Sequence, residues 1–217
     1  VYVLRCLVGD DIPLNEGLMH ACDIVLPVCM LNPDFSAPSS QHPAVGAGNV
    51  ETSQRLVDTL FKALRVVACS QGTMNNVIFG STPLAVSFYE TVCGGAGAGP
   101  DFDGASAVHS HMTNTRITDP EILETRYPVR LRRFQIRRGS GGLGLHRGGD
   151  GVTREIEFLA PLSLALVTQH RVQRPYGMLG GAPGSPGSQR LIRADGSARP
   201  LASFDVVDVL PGDRLVL

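Results

Sequence analysis

Apolar positions along the chain change period several times, and the changes mark its elements. Between residues 49 and 68 they recur at helical spacing, at Val50, Val57, Leu60, Phe61, Leu64, Val67 and Ala68. Asn49 is a good N-cap. Gln54, Arg55, Asp58, Lys62 and Arg65 take the opposite face. Asp58 and Lys62 form an i,i+4 pair worth about 0.2–0.5 kcal/mol. The spacing predicts one principal amphipathic helix near 49–68, anchored on something apolar.

Elsewhere the period is two or the apolar runs are short. Strands are predicted over 1–8, 24–28, 77–79, 84–92, 128–138, 152–159 and 163–172, with a last one closing the chain. Leu84, Val86, Phe88 and Glu90 share one face of their strand. In 128–138 the apolar parity slips at Arg132-Arg133, which predicts a bulge. A turn is expected at Gly9-Asp10-Asp11, a loop over 32–46, and an extended segment over 107–116. Asp119-Pro120 starts a short helix, with Asp119 as cap. Asp195-Gly196 is a hairpin turn and Pro211-Gly212-Asp213 another. The fold class is therefore α+β, strand-rich.

Composition narrows the function classes. The 217 residues carry a net charge of −1, and Lys62 is the single lysine among 19 Lys and Arg. No strong field is available to draw the chain onto nucleic acid or an anionic membrane. The arginines at 126, 130, 132, 133, 137 and 138 point to internal ion pairs or a subunit contact. No apolar run reaches the ~18 residues of a membrane span. Five cysteines, an odd number with no C-x-x-C pair, fit free thiols in a reducing cytosol. The chain has 25 glycines, concentrated in loops at 94–99 and 139–151.

Several stretches carry chemistry. Gly139, Gly141 and Gly144 match G-x-G-x-x-G, but no helix follows, so a dinucleotide site is excluded and a plain glycine loop remains. Gly94, Gly95 and Gly97 offer backbone amides for an anion, or else let another segment pack closely. His109 and His111, placed on a strand, face one side, a geometry for proton transfer or metal binding. Asn114, Thr115 and Arg116 beside them can hold a carboxylate or phosphate. Gln71, Asn75 and Asn76 follow the helix and either end it or hold a polar ligand. Glu90, on the apolar parity of its strand, is a base if buried alone or an ion-pair partner of an arginine.

The runs Gly48-Asn49-Val50-Glu51-Thr52-Ser53-Gln54-Arg55, Ser70-Gln71-Gly72-Thr73-Met74-Asn75-Asn76, Tyr89-Glu90-Thr91 and Gly94 to Pro100 resemble the hydantoinase B/5-oxoprolinase family. So do Val108 to Glu121, Arg137 to Gly142, Arg147 to Gly151, Arg174-Pro175-Tyr176-Gly177 and Pro211-Gly212-Asp213. The resemblance covers nearly the whole chain, and within the family it is nearest the eukaryotic 5-oxoprolinase type. Thr168-Gln169-His170-Arg171 departs from the family's Glu-Arg pattern.

The resemblance implies that residues 1–217 are the C-terminal portion of a hydantoinase B-like domain, a segment of a larger catalytic domain. It implies ATP-dependent opening of 5-oxo-L-proline to L-glutamate by a cytoplasmic parent, with this segment inactive alone. ATP and a divalent metal are implied for the parent, mostly at sites outside this chain, with the metal ligands unassigned. The partners implied are the ATP-binding half and a second copy of the parent. His109, His111 and, at lower rank, Glu90 are the candidate bases. Asn114, Thr115, Arg116, Gln71, Asn75 and Asn76 are the candidate substrate ligands, and Gly94, Gly95 and Gly97 the candidate anion loop. A hydantoinase or ketone carboxylase subunit, or a non-catalytic assembly module, is the alternative.

Overall fold

The computed structural model describes residues 1–8, 12, 13, 15–43, 46 and 48–217. The turn expected at Gly9-Asp10-Asp11 lies outside the described residues. The strand-rich α+β class holds. Two antiparallel sheets carry the fold, one of four strands and one of five, with few helices.

The principal helix is shorter than its apolar pattern. A π-helical turn, Gly48–Thr52, leads into α2, Ser53–Leu64, so Asn49 lies inside the turn rather than capping it. Arg65 adopts a left-handed conformation (φ 59°), and its N–H closes on the carbonyls of Lys62 and Phe61. Val67 and Ala68 leave the helix because the Ala68 N–H is bonded to the Ala98 carbonyl (2.9 Å).

The expected strand at 1–8 is instead a helix, α1, Tyr2–Leu7. Val3 is buried against Val57 and Phe61 of α2, and the Tyr2 and Phe61 rings lie 6.4 Å apart. Docking on a helix face overrides the β-branched pattern, which stabilises a strand only where a sheet receives it. Residues 24–28, also expected as a strand, form none. Val25, Val28 and Met30 are exposed.

The four-stranded sheet runs β2-β1-β5-β8, from β1 (Asn76–Ser81), β2 (Val86–Thr91), β5 (Leu162–Val167) and β8 (Phe204–Val209). The five-stranded sheet runs β3-β4-β9-β6-β7, from β3 (Val129–Ile136), β4 (Val152–Phe158), β9 (Arg214–Val216), β6 (Arg190–Ile192) and β7 (Ala198–Pro200). The period-two pattern puts Leu162, Leu164 and Leu166 of β5 on one buried face. They share a core with Val77, Phe79 and Phe88 from their own sheet and Ile156, Phe158, Leu191 and Leu215 from the other. Phe79 stacks on Phe88 at 4.4 Å and meets Phe158 edge-on at 5.8 Å. Each such side chain contributes about 1.5–3 kcal/mol on burial.

The local signals in this half are borne out. The β3–β4 register shifts between Leu131 and Arg133, as the parity slip requires. The Asp119 carboxylate accepts from the N–H groups of Glu121 and Ile122 at the start of α3, Pro120–Arg126. Gly196 (φ 88°) turns the β6–β7 hairpin. All five cysteines are free thiols. No helix among the described residues is long and apolar enough to cross a membrane.

Candidate functional site: a cavity walled by glycine loops

Three glycine-rich loops meet at one end of the sheets. Residues 93–99 run extended between two other segments. The Ala68 and Gln71 N–H groups donate to the Ala98 and Gly95 carbonyls on one side (2.9 Å each). On the other, the Gly94 and Ala96 N–H groups donate to the Val108 and Ala105 carbonyls. A side chain at Gly97 would come 1.8 Å from the Ala68 carbonyl oxygen, and one at Gly95 would come 2.0 Å from that of Gly149. These glycines allow backbone to lie on backbone. The Gly94 amide already holds a carbonyl, so of the anion-cradle reading of Gly94, Gly95 and Gly97 only the Gly95 and Gly97 amides stay open among the described residues, and close backbone packing is what the loop shows.

The second loop, 139–151, folds on the Asp150 carboxylate, which accepts from the Gly139 and Gly141 N–H groups (3.2 and 2.8 Å). Burial alone would raise the Asp150 pKa, but these N–H groups and Arg147 outweigh it and hold it below the usual carboxylate range. The third loop spans 175–187, and its Gly184 N–H bonds the Pro175 carbonyl. Between the three loops lies a cavity of about 880 Å³. Gln71, Asn75, Arg137, His170 and Arg171 supply much of its polar lining.

Arg171 projects from the segment after β5. Its Nε donates to Gln189 Oε1 (3.0 Å) and its Nη1 to the Gln169 carbonyl (2.5 Å) and Asn75 Oδ1 (3.4 Å). Burial, with Arg137 nearby, lowers its pKa to about 10. His170 Nε2 lies 3.6 Å from the Cys69 thiol, and its Nδ1 bonds the Gln173 carbonyl. Burial lowers the His170 pKa and pushes the Cys69 thiol far up, Asp58 adding to the latter. Cys69 is therefore a thiol, not a thiolate nucleophile.

Asp58, on the buried face of α2, ties the helix to the cavity wall. Its carboxylate accepts from the Ser70 N–H (3.1 Å) and Oγ (2.9 Å) and pairs with His111 Nε2 (3.0 Å). The Tyr176 hydroxyl donates to its backbone carbonyl. His111 has φ 54°, so its chain turns instead of running extended, and the expected strand over 107–116 is reduced to one bridge at Val108. His109 and His111 consequently do not point to one side. His111 faces Asp58 and Tyr2, whereas His109 feels the charge of Glu90.

Glu90 is buried and paired with the guanidinium of Arg154, and it also accepts from the Thr118 N–H (2.5 Å). Of its two readings, the ion-pair one is the geometry found. Arg154, 1% exposed, joins β4 to β2 through this pair, and its Nε and Nη2 have no hydrogen-bond partner among the described residues. Both ring nitrogens of His109 are likewise buried without a hydrogen-bond partner among the described residues. Burial lowers the His109 pKa, against the pull of Glu90.

The predicted site residues are thus split. Gln71, Asn75, Gly94, Gly95 and Gly97 line the cavity. Asn76 bonds Glu51 and Tyr89, away from it. Asn114 and Arg116 are exposed, and Thr115 is bonded through its hydroxyl to Thr91 (2.6 Å), so the stretch 114–116 is not part of the cavity wall. Sequence reasoning missed Asp58, Arg137, His170 and Arg171 as site residues. The Asp58 position, a carboxylate on a helix read as solvent-facing, gave no signal. The Arg-bearing motifs at 137–142 and 168–171 did carry one.

The model for hydantoinase B/oxoprolinase matches residues 1–217. The chain belongs to that family. It is 47% identical to 5-oxoprolinase 1 of Arabidopsis thaliana over 99% of this chain and 16% of the relative. It is 42% identical to the 5-oxoprolinase of Dictyostelium discoideum over 100% of this chain and 17% of that protein. Among solved structures, the ATP-dependent caprolactamase of Pseudomonas jessenii superposes with a TM-score of 0.76 over 99% of this chain and 40% of its own, at 24% identity. That likeness supports the hydantoinase B fold. The chain spans less than a fifth of the length of these two 5-oxoprolinases.

Among the described residues no group of three or more His, Cys, Asp or Glu side chains is arranged to hold a metal ion. Asp58, Cys69, His111 and His170 instead bond one another or nearby backbone and side-chain groups.

Proposed function

We propose that this chain is the C-terminal portion of the hydantoinase B-like half of a cytoplasmic, homodimeric 5-oxoprolinase. In that reading it acts on 5-oxo-L-proline, jointly with an ATP-binding half. The observation that carries the reading is identity of 42–47% to 5-oxoprolinases over essentially every residue of the chain. The fold likeness to an enzyme that opens a cyclic amide supports it.

The chemical problem is an unreactive amide carbonyl. ATP, bound by the parent, supplies a phosphoryl group that activates the lactam oxygen. Ring opening then needs a base for water and donors for the charge that develops on oxygen. In this chain a neutral His109, kept so by burial, is a proton acceptor beside Glu90 and Arg154. His111 is held by Asp58 at Nε2 and by the Tyr2 hydroxyl at Nδ1, so it serves as a second acceptor only where Tyr2 gives up that bond. Gln71 and Asn75 present amides to the cavity. ATP and a divalent metal are taken to bind mostly in the rest of the parent, as the family resemblance implies.

The test is ADP release by the intact polypeptide, with and without 5-oxo-L-proline. ADP and glutamate appearing only with 5-oxoproline support the reading. Turnover unaffected by 5-oxoproline but stimulated by a hydantoin or a ketone moves the parent to another member of the family.

A further inference from the structure

Many guanidinium groups on the sheets have a carboxylate. Arg132 meets Glu157, Arg154 meets Glu90, Arg193 meets Asp213, and Arg214 meets Glu155. Among the described residues, Arg137 and Arg171 have none. Arg137 Nη1 donates to the Pro186 carbonyl (2.8 Å), and every acceptor around Arg171 is a neutral amide or carbonyl oxygen. Both line the same cavity. Two cations on one wall with only neutral acceptors repel each other, and an anion between them reverses the sign of that interaction.

The arrangement is built rather than incidental. Gln189 is 4% exposed; its Oε1 accepts from Arg171 Nε and Thr168 Oγ1, while its amide donates to the Ala202 carbonyl. Asn75, in a left-handed conformation (φ 50°), holds the same arginine and the Gln169 N–H. A side chain at Gly187 would come 2.3 Å from Arg171 Nη1, so that position leaves the guanidinium its place. Among the described residues, the bonds of Arg171 run through Nε and Nη1 and that of Arg137 through Nη1, which leaves Nη2 of the first and Nε and Nη2 of the second to a ligand. Planar guanidinium groups offering free N–H donors suit a carboxylate or a phosphoryl group.

We propose that Arg137 and Arg171 form an oxyanion subsite in the glycine-walled cavity, which takes either the substrate's carboxylate or a phosphoryl group placed on the substrate. The identity of the anion rests on the lactam-opening reading above, whereas the subsite does not.

Calorimetric titration of the intact polypeptide tests this, with 5-oxo-L-proline, inorganic phosphate and 2-pyrrolidinone, the same ring without the carboxylate. Arg137→Gln and Arg171→Gln are each expected to weaken binding of the matching anion by about tenfold or more. 2-Pyrrolidinone is expected to be unaffected, and Arg171→Lys to recover part of the loss. A loss confined to 5-oxoproline assigns the carboxylate, and one confined to phosphate assigns the phosphoryl group. Phosphate binding that depends on both arginines, with no binding of 5-oxoproline, keeps the subsite and removes the lactam reading. Binding of both anions unchanged in both variants overturns the proposal. So does an equal loss of 2-pyrrolidinone, or a wild-type protein that binds neither anion. Arg137 sits just past the end of β3 and is partly exposed, so its variant keeps the test alive if Arg171→Gln fails to fold.

Discussion

The space between the two sheets and the wall of the cavity solve the same packing problem by opposite means. Between the sheets, large apolar side chains fill the volume: Phe79, Phe88, Phe158 and the leucines of β5 interdigitate, and backbones stay a side chain apart. Where the loops of the cavity wall cross, side chains are absent, and Gly95, Gly97 and Gly149 let backbone touch backbone. The first arrangement tolerates modest changes of shape, because side chains repack. The second tolerates none at a glycine, since a carbonyl cannot move aside as a rotamer can. The lesson is that the rigid part of this molecule is its loops, which suits a wall that must hold polar groups in place.

Four substitutions and a pH titration probe that contrast. The largest effect is expected where the two sheets are tied together, at the Glu90–Arg154 pair. Arg154→Met leaves a buried carboxylate uncompensated and is expected to cost about 3–5 kcal/mol. Glu90→Gln added to it should recover much of the loss, as urea midpoints of the two variants will show. In the core, Leu164→Ala removes a fully buried side chain and is expected to cost about 2–5 kcal/mol. Ligand affinity per folded molecule should stay at the wild-type level, and chemical denaturation beside a binding titration checks both. Gly97→Ala should cost about as much, at or above the ~1–3 kcal/mol usual for overpacking, because its Cβ would meet a backbone carbonyl oxygen at 1.8 Å. It should also weaken ligand binding, because the loop moves. If Gly97→Ala spares binding while Leu164→Ala impairs it, the contrast drawn above is wrong.

The smallest effect is a pH dependence. Burial lowers the pKa of both His109 and His170 in the folded chain. The unfolded chain then takes up protons at these positions first, so their contribution to stability is complete above about pH 6.5 and declines as the pH falls towards the folded values. Thermal midpoints between pH 8 and pH 5 measure it. A His109→Gln, His170→Gln double variant should flatten that slope.

Much of the core was legible in the sequence because local chemistry determined it. The parity slip at Arg132-Arg133, the Asp119 cap and the Asp195-Gly196 turn each appear in place, since a bulge, a cap and a hairpin are decided within a few residues. The N-terminal strand was misread because Tyr2 and Val3 answer to Phe61 and Val57, far along the chain. The candidate site was less legible. His109 and His111 share a side only on an extended chain, and one left-handed residue, His111 itself, breaks that alternation. Arg137 and Arg171 meet through two loops, so no local period announces them. The glycine runs were visible as loops, but whether an amide faces a ligand or a neighbouring carbonyl depends on partners up to about fifty positions away, such as Gly149 opposite Gly95.

Asp58 has a consequence for the order in which the chain is assembled during synthesis. The helix that carries it is complete by residue 64, yet its carbonyl waits for Tyr176, 118 positions later in the sequence. At roughly 5–20 residues per second, the ribosome delivers that hydroxyl on the order of 6–24 s after Asp58 itself. His111 arrives in between and can occupy the carboxylate meanwhile. An early-made helix is therefore tied to a much later loop, and a nascent chain stalled before residue 176 holds α2 through Ser70, His111, Met112 and Thr113 without the Tyr176 bond.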